Sequence, residues 1–207
     1  MCFTQRIGFG WIANREKEFA EAIRLARRAV QLDKDDASAL CVAGLALAGA
    51  GVLDDGAAFL DRALFINPNV AMGWSVGGWI KLWLGEPDQA IERFAHAMRL
   101  SPIDPITFYA QEGMAHAHFF AGRHDEAVFW AKMELRELPD SHGGLRIAAA
   151  SCALAGRDEE ARRLTARLLK IDPAMRSSLL QNVLGPYRHP EYPEKYANAL
   201  RKAGLPE

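Results

Sequence analysis

Residues 71–104 read AMGWSVGGWIKLWLGEPDQAIERFAHAMRLSPID, and this stretch decides the fold class. In its first half, apolar residues recur at the three- and four-residue spacing of a helix, and Gly85 follows where a helix commonly ends in a left-handed conformation. Pro87 and Asp88 then stand where a proline and an acid favour the first turn of a second helix. Pro102 ends that helix. The stretch therefore predicts two helices joined by a short turn.

The same residues recur along the chain at a nearly constant spacing. Glycines stand at positions 51, 85, 122 and 156, with separations of 34, 37 and 34 residues. Prolines at 68, 102, 139 and 173 repeat these separations, and small residues at 22, 56, 90, 127 and 161 keep the same register. No segment alternates apolar and polar residues for long enough to predict a strand. The pattern predicts an all-α repeat protein.

The spacing divides the chain into a repeat array over residues 1–175 and a C-terminal cap over residues 176–207. The predicted units are 3–36, 37–70, 71–104, 105–141 and 142–175. Because a lone helical hairpin cannot cover its apolar face, we expect the units to stack. The fourth unit has three extra residues, which we place in its first helix around 111–119, and Glu134 where a small residue is usual. In the cap, a final helix over 191–203 is expected to carry Lys195 and Lys202 on its polar outer face.

The unit at 71–104 also carries a family resemblance. It resembles the tetratricopeptide repeat (TPR) at Trp74, Gly78, Gly85, Ala90, Phe94, Ala97 and Pro102. The resemblance implies a right-handed α-solenoid of about five TPR-like helix–turn–helix repeats with a C-terminal capping helix. More narrowly, the stretch from Asn67 to the end is similar to the C-terminal TPR module of bacterial adenylate/guanylate cyclases and of winged-helix transcription regulators. No catalytic or DNA-binding domain of those families is recognisable in the chain, so their activities are not carried over.

Composition excludes several classes of function. The 207 residues include 25 basic and 26 acidic side chains, and a formal net charge of −1 argues against nucleic acid as a partner. No apolar run approaches the ~20 residues that span a bilayer, so no membrane partner is expected. The three cysteines, Cys2, Cys41 and Cys152, are scattered and form no CxxC pair. They predict reduced thiols and a cytoplasmic location.

Motifs that carry chemistry are weak throughout the sequence. Residues 8–13, GFGWIA, match a dinucleotide-binding pattern formally, but that pattern works only between a strand and a helix of a parallel sheet. His116 and His118 lie two residues apart and would point to different sides of a helix, while His124 belongs to the next turn, so no metal site is expected. Cys41 and Cys152 stand among apolar residues, as buried thiols do. We therefore expect no catalytic residue, no cofactor and no metal, and predict that the protein is not an enzyme.

The concave side of the solenoid is the better candidate for a site. The resemblance places first helices there, and the candidate partner-binding residues are Cys41, Leu45, Met72, Ser75, Val76, Trp79, Leu82, Trp83, Arg146, Ile147 and Ala150. Trp79 and Trp83 are one turn apart and could anchor a helix or an extended peptide. Equally, neighbouring helices could already cover them. A basic clamp for a partner's terminal carboxylate is disfavoured, because Arg146 alone has suitable chemistry.

These observations predict a non-enzymatic scaffold that binds a peptide, a helix or a neighbouring domain in its concave groove. The alternative is a regulatory or oligomerisation fragment of a cyclase-like or transcription-regulator protein. A homo-oligomer is also possible, because Phe3, Ile7, Phe9 and Trp11 would leave the first unit with an apolar end.

Overall fold

The computed structural model describes residues 14–102 and 107–207, and within these ranges the chain is helical with no β-strand. The α-helices are α1 (Arg15–Leu32), α2 (Ala37–Gly49), α3 (Leu53–Ile66), α4 (Ala71–Leu84), α5 (Pro87–Leu100), α6 (Thr107–Phe120), α7 (His124–Glu137), α8 (His142–Leu154), α9 (Asp158–Ile171) and α10 (Glu191–Lys202). A 3₁₀ helix, Ser177–Asn182, precedes α10. The predicted opening helix of the first unit, the GFGWIA motif and the apolar residues of the first unit's end lie outside the described ranges.

Successive helices pair as hairpins, and each hairpin packs against the next. The pairs are α2 with α3, α4 with α5, α6 with α7, and α8 with α9. Each pair turns at a repeat glycine with a positive φ, for example 87° at Gly85, a conformation that side chains with a Cβ rarely adopt. At that turn the backbone N–H of Glu86 donates to the carbonyl oxygen of Lys81, which closes the end of α4. The prediction of an α-solenoid of helix–turn–helix repeats is confirmed.

Small residues set the closest approach of the two helices in a hairpin. A Cβ added to Gly78 would lie 2.6 Å from the Phe94 ring, so α4 and α5 touch where α4 has no side chain. Ala90 and Ala161, at the same register in α5 and α9, are fully buried. The repeated small residues of the sequence therefore mark the contact surfaces of the hairpins.

The expected position of the fourth unit's extra residues at 111–119 is not supported by the described length of α6. α6 is 14 residues long, the same length as α4, and shows no inserted turn. More residues separate Leu100 from Thr107 than separate Ile66 from Ala71.

The C-terminal residues return across the array. After α9, the 3₁₀ helix leads into an irregular segment with bends at 188 and 189, and α10 then packs against α8. Tyr196 and Leu200 of α10 are fully buried, and the backbone N–H of Ser177 donates to the carbonyl oxygen of Pro206 at 2.8 Å. The C-terminal residues are therefore part of the core.

Candidate partner-binding groove

The first helices of the hairpins form a continuous row, because α2 contacts α4, α4 contacts α6 and α6 contacts α8. Along one face of this row run aromatic and charged side chains that meet the C-terminal segment. We call this face the groove. Its described residues include Trp79, Trp83, His116, Phe120 and Arg146.

Trp79 is covered by neighbouring helices, with 7% of its surface exposed. Its ring lies 5.7 Å from Phe94 in an edge-to-face arrangement, and 5.3 Å and 5.6 Å from the rings of Tyr109 and His116 in α6. Trp79 is thus part of an aromatic cluster that joins three helices.

Trp83 is covered by the C-terminal segment and is 8% exposed. Gly185 lies against its indole, and an added Cβ there would overlap the ring. The carbonyl oxygen of Trp83 accepts the backbone N–H of Arg188 at 2.8 Å. In α6, Phe120 stacks on Tyr192 with a centroid separation of 4.4 Å and an interplanar angle of 8°. The C-terminal segment therefore covers this part of the groove.

The candidate residues from the sequence fall into three groups. Five pack between helices with little or no exposed surface: Cys41, Val76, Leu82, Ile147 and Ala150. The two tryptophans are covered as described. The remaining four keep exposed surface, and they are Leu45, Met72, Ser75 and Arg146. Met72 is 41% exposed and belongs to the same helical stripe as Trp79 and Trp83, so α4 carries an open and a covered half of the groove.

Sequence reasoning missed the contribution of α6. Tyr109, Glu112, His116 and Phe120 recur at helical spacing and face the groove from the helix between Trp79 and Arg146. Misplacing the three extra residues inside this helix hid its register. Counting back from the repeat glycine Gly122, which ends α6 as Gly85 ends α4, could have revealed this register.

Two carboxyl groups converge on the start of α8. Glu134 of α7 is fully buried, and its Oε1 accepts a 2.5 Å hydrogen bond from Ser141 Oγ, the N-cap hydroxyl of α8. A Cβ on Gly144 would lie 2.7 Å from Glu134 Oε2, and one on Gly143 would overlap the Glu112 carboxyl. The paired glycines therefore make room for these two groups.

The burial of this cluster perturbs its acid–base properties. Desolvation, with the nearby Glu112 carboxyl, raises the pKa of Glu134 to about 8. Desolvation also raises the pKa of Glu112, against the opposing charge of Arg146. Burial lowers the pKa of His116 to about 3, and Arg146 acts in the same direction, so this imidazole is neutral. The cluster favours uncharged forms of Glu134 and His116.

Several polar groups of the groove have no hydrogen-bond partner among the described residues. These atoms are Trp79 Nε1, Trp83 Nε1, His116 Nδ1, Arg146 Nε and Tyr196 Oη. The indole and guanidinium nitrogens are donors only. The groove therefore combines aromatic rings with buried N–H groups, which a partner's carbonyl or carboxylate oxygens could reach only where the covering residues move away.

Other chemistry has little support in the part of the chain that the structure describes. No three His, Cys, Asp or Glu side chains come together there in a way that could hold a metal ion. Cys41 and Cys152 are free and buried. None of the described helices combines the length and apolar character needed to cross a bilayer.

No family profile matches the chain, and no curated protein matches its sequence. Solved structures do share its architecture. PilW, described as a widely conserved type IV pilus biogenesis factor, is 17% identical with a TM-score of 0.72, over 97% of this chain and 90% of PilW. YrrB, described as a TPR protein with an unusual peptide-binding site, is 19% identical with a TM-score of 0.58, over 86% of this chain and 90% of YrrB.

MamA is 17% identical with a TM-score of 0.62, over 76% of this chain and 91% of MamA. At these identities the likeness defines the fold, and the fold is a TPR-type α-solenoid. The narrower resemblance to cyclase and winged-helix regulator modules stays a prediction.

Proposed function

We propose that this α-solenoid is a non-enzymatic scaffold that binds an extended segment of a protein partner in the groove. The observation that carries the proposal is that the groove already holds a non-helical segment of its own chain, residues 185–190. Gly185 packs on Trp83, and the N–H of Arg188 bonds to the Trp83 carbonyl oxygen. A surface that contacts the backbone and side chains of one non-helical segment can bind another segment with similar contacts.

The partner would first contact the open half of the groove, which consists of Leu45, Met72, Ser75 and Arg146. Met72 offers apolar surface, while Arg146 offers a positive charge. The Arg146 side chain is half-buried, so the exposed part of its guanidinium could pair with an acceptor on a bound peptide. YrrB has a peptide-binding site on the same fold, which supports this choice. Free, buried cysteines support a reducing, cytoplasmic location.

A random peptide library selected on the immobilised full chain tests the proposal. We expect selected peptides to bind Met72→Glu at least ~10-fold more weakly, since a buried charge replaces apolar contact area. The matched control is Phe129→Glu in α7, a second helix, where the side chain is 57% exposed away from the groove. Peptides that bind Met72→Glu as tightly as the unaltered chain would refute the site. Failure to select any binding peptide would refute the function.

A further inference from the structure

The segment over the groove, residues 185–190, is held by few bonds, and we call it the strap. Its backbone makes one hydrogen bond to the described first helices, from Arg188 N–H to the Trp83 carbonyl oxygen. The Arg188 guanidinium also pairs with the Asp54 carboxylate of α3 at 2.7 Å, but both side chains are well exposed, and exposed ion pairs stabilise little.

The residues on both sides of the strap are anchored far more firmly. Leu180 and Leu184 before it are 2% and 7% exposed, and Tyr196 and Leu200 after it are fully buried. Within the strap, by contrast, positions 188–190 are exposed and positions 185–187 are half-buried. The strap can therefore lift from the groove while its flanks keep the C-terminal residues in place, because local opening follows the distribution of buried contacts.

The strap also leaves hydrogen-bond donors of the groove without acceptors. The Trp83 indole N–H lies beneath Gly185 and has no acceptor among the described residues, and the Trp79 N–H is in the same condition. A buried donor without an acceptor disfavours the state that contains it. An incoming segment that brings a carbonyl oxygen to Trp83 Nε1 would bind better than the strap does.

The contacts of the strap specify the chemistry of a replacement. The Trp83 indole accepts a residue without a side chain, the Phe120 ring lies 5.2 Å from Tyr187, and Asp54 takes a cation. Gly-Pro-Tyr-Arg, residues 185–188, meets these three requirements in order. A partner segment with a small residue, an aromatic residue and a following basic residue would meet them too.

We propose that the strap is an autoinhibitory occupant of the covered half of the groove, and that it is displaced by a partner segment carrying a small residue, an aromatic residue and a following basic residue. The proposal rests on the proposed function, since it concerns the same groove. Tethering gives the strap an effective concentration on the order of millimolar, so a free segment with identical contacts competes poorly until the strap is weakened.

The test uses the full-length chain and a labelled synthetic peptide of residues 183–190. Gly185→Val places a branched side chain against the buried Trp83 ring and should lift the strap. We expect the peptide to bind this variant at least tenfold more tightly than the unaltered chain. The amide of Arg188, protected by its bond to Trp83, should exchange with deuterium faster in the variant.

A second variant guards against misfolding of the first. Arg188→Glu sets a like charge against Asp54 at an exposed position and should also raise peptide affinity. Arg167→Ala is the matched control, because Arg167 forms an ion pair of similar exposure with Asp140 away from the strap. Specificity is checked by combining Asp54→Arg with Gly185→Val, which should make the chain prefer the peptide that carries Arg188→Glu.

Two results would overturn the proposal. One is equal peptide affinity for the unaltered chain, Gly185→Val and Arg188→Glu when hydrogen exchange shows that the strap has opened. The other is an Arg188 amide that exchanges as fast in the folded chain as in the free peptide. If library peptides bind all these variants equally through Met72, the autoinhibition fails and the scaffold function stands. If no peptide binds even the opened variants, the scaffold function itself fails.

Discussion

The ammonium nitrogen of Lys202 donates a 2.7 Å hydrogen bond to the carbonyl oxygen of Ala153, the penultimate residue of α8. Seven residues earlier in α10, Lys195 Nζ lies 3.3 Å from the carbonyl oxygen of Phe119, the penultimate residue of α6. Seven helical residues span about 10 Å, which matches the distance between the axes of packed helices such as α6 and α8. α10 thus caps the ends of two neighbouring first helices with one pair of lysines.

Replacing Lys202 by Met tests this capping. The variant keeps the apolar stem but removes the donor, so we expect it to lower the free energy of unfolding by about 1 kcal/mol. Lys195→Met should lower the free energy of unfolding by a smaller amount, because the hydrogen bond that it removes is longer. Thermal unfolding of both variants measures the difference. Equal stability of Lys202→Met and the unaltered chain would mean that the bond contributes nothing in solution.

Glu134 should make the protein less stable as pH rises. Its pKa in the folded chain is raised to about 8, whereas a glutamate in an unfolded chain titrates near ~4.3. The stability from the neutral carboxyl is therefore complete below the lower value and is lost as pH rises toward 8. Glu134→Gln should flatten this dependence and raise stability near pH 7 by an amount of the order of 3 kcal/mol.

Urea unfolding between pH 5 and pH 8 measures the effect. Some slope should persist in Glu134→Gln, because burial raises the pKa of Glu112 as well. Glu126→Gln, on the exposed surface of the same helix, is the control and should keep the slope of the unaltered chain. A Glu134→Gln variant with an unchanged slope would contradict the assignment.

Gly56 lies at a close contact between helix backbones that leaves no room for a side chain. A Cβ there would lie 2.8 Å from both the Ala48 Cβ and the Gly44 carbonyl oxygen. We expect Gly56→Ala to destabilise the fold by about 1–3 kcal/mol, although alanine favours helices.

Gly77→Ala in α4 is the matched control for that substitution. Its new Cβ would meet the Arg93 guanidinium, which can move aside at the end of a flexible side chain. We therefore expect a change of less than about 1 kcal/mol. Chemical denaturation compares the two variants, and similar losses in both would show that hairpin contact distance is not the cause.

The two described cysteines should be inert in the folded protein. Cys41 and Cys152 have no exposed surface, and burial raises the pKa of the Cys152 thiol to about 11. In a Cys2→Ser variant, Ellman's reagent at pH 8 should react with both thiols only as fast as the chain unfolds. A rapid reaction before addition of denaturant would show that one of these thiols is accessible.

Local signals predicted the hairpins well. The repeat glycines end first helices in a left-handed conformation, and the alanines between them mark close contacts, so both depend on a few neighbouring residues. The register of α6 was predicted wrongly because the three extra residues could lie either inside the helix or outside it. Composition does not decide between these positions. Trp79 and Trp83 posed a similar problem, since helical spacing is identical for a buried stripe and an open groove.

The strap and the lysine caps could not be predicted from the sequence, for a different reason. Gly185 and Pro186 indicate only that a helix ends there. No neighbouring residue indicates that Gly185 packs on the Trp83 indole. Lys195 and Lys202 follow the polar pattern of an outer face, yet their long stems reach backbone carbonyls. Contacts of this kind depend on how distant segments meet, which a repeat pattern does not encode.

The bond between Arg188 and Asp54 joins positions 134 residues apart, in an architecture where units usually touch only their neighbours. An ordinary array of this type can fray from either end, one hairpin at a time. Here, unravelling of α3 also removes the partner of a residue near the far end, and loss of the C-terminal residues uncovers Trp83 in the middle. The exposed pair itself stabilises little, but α10 packs on α8 and Lys202 bonds to its Ala153 carbonyl oxygen, so we expect α8 and α10 to unfold together.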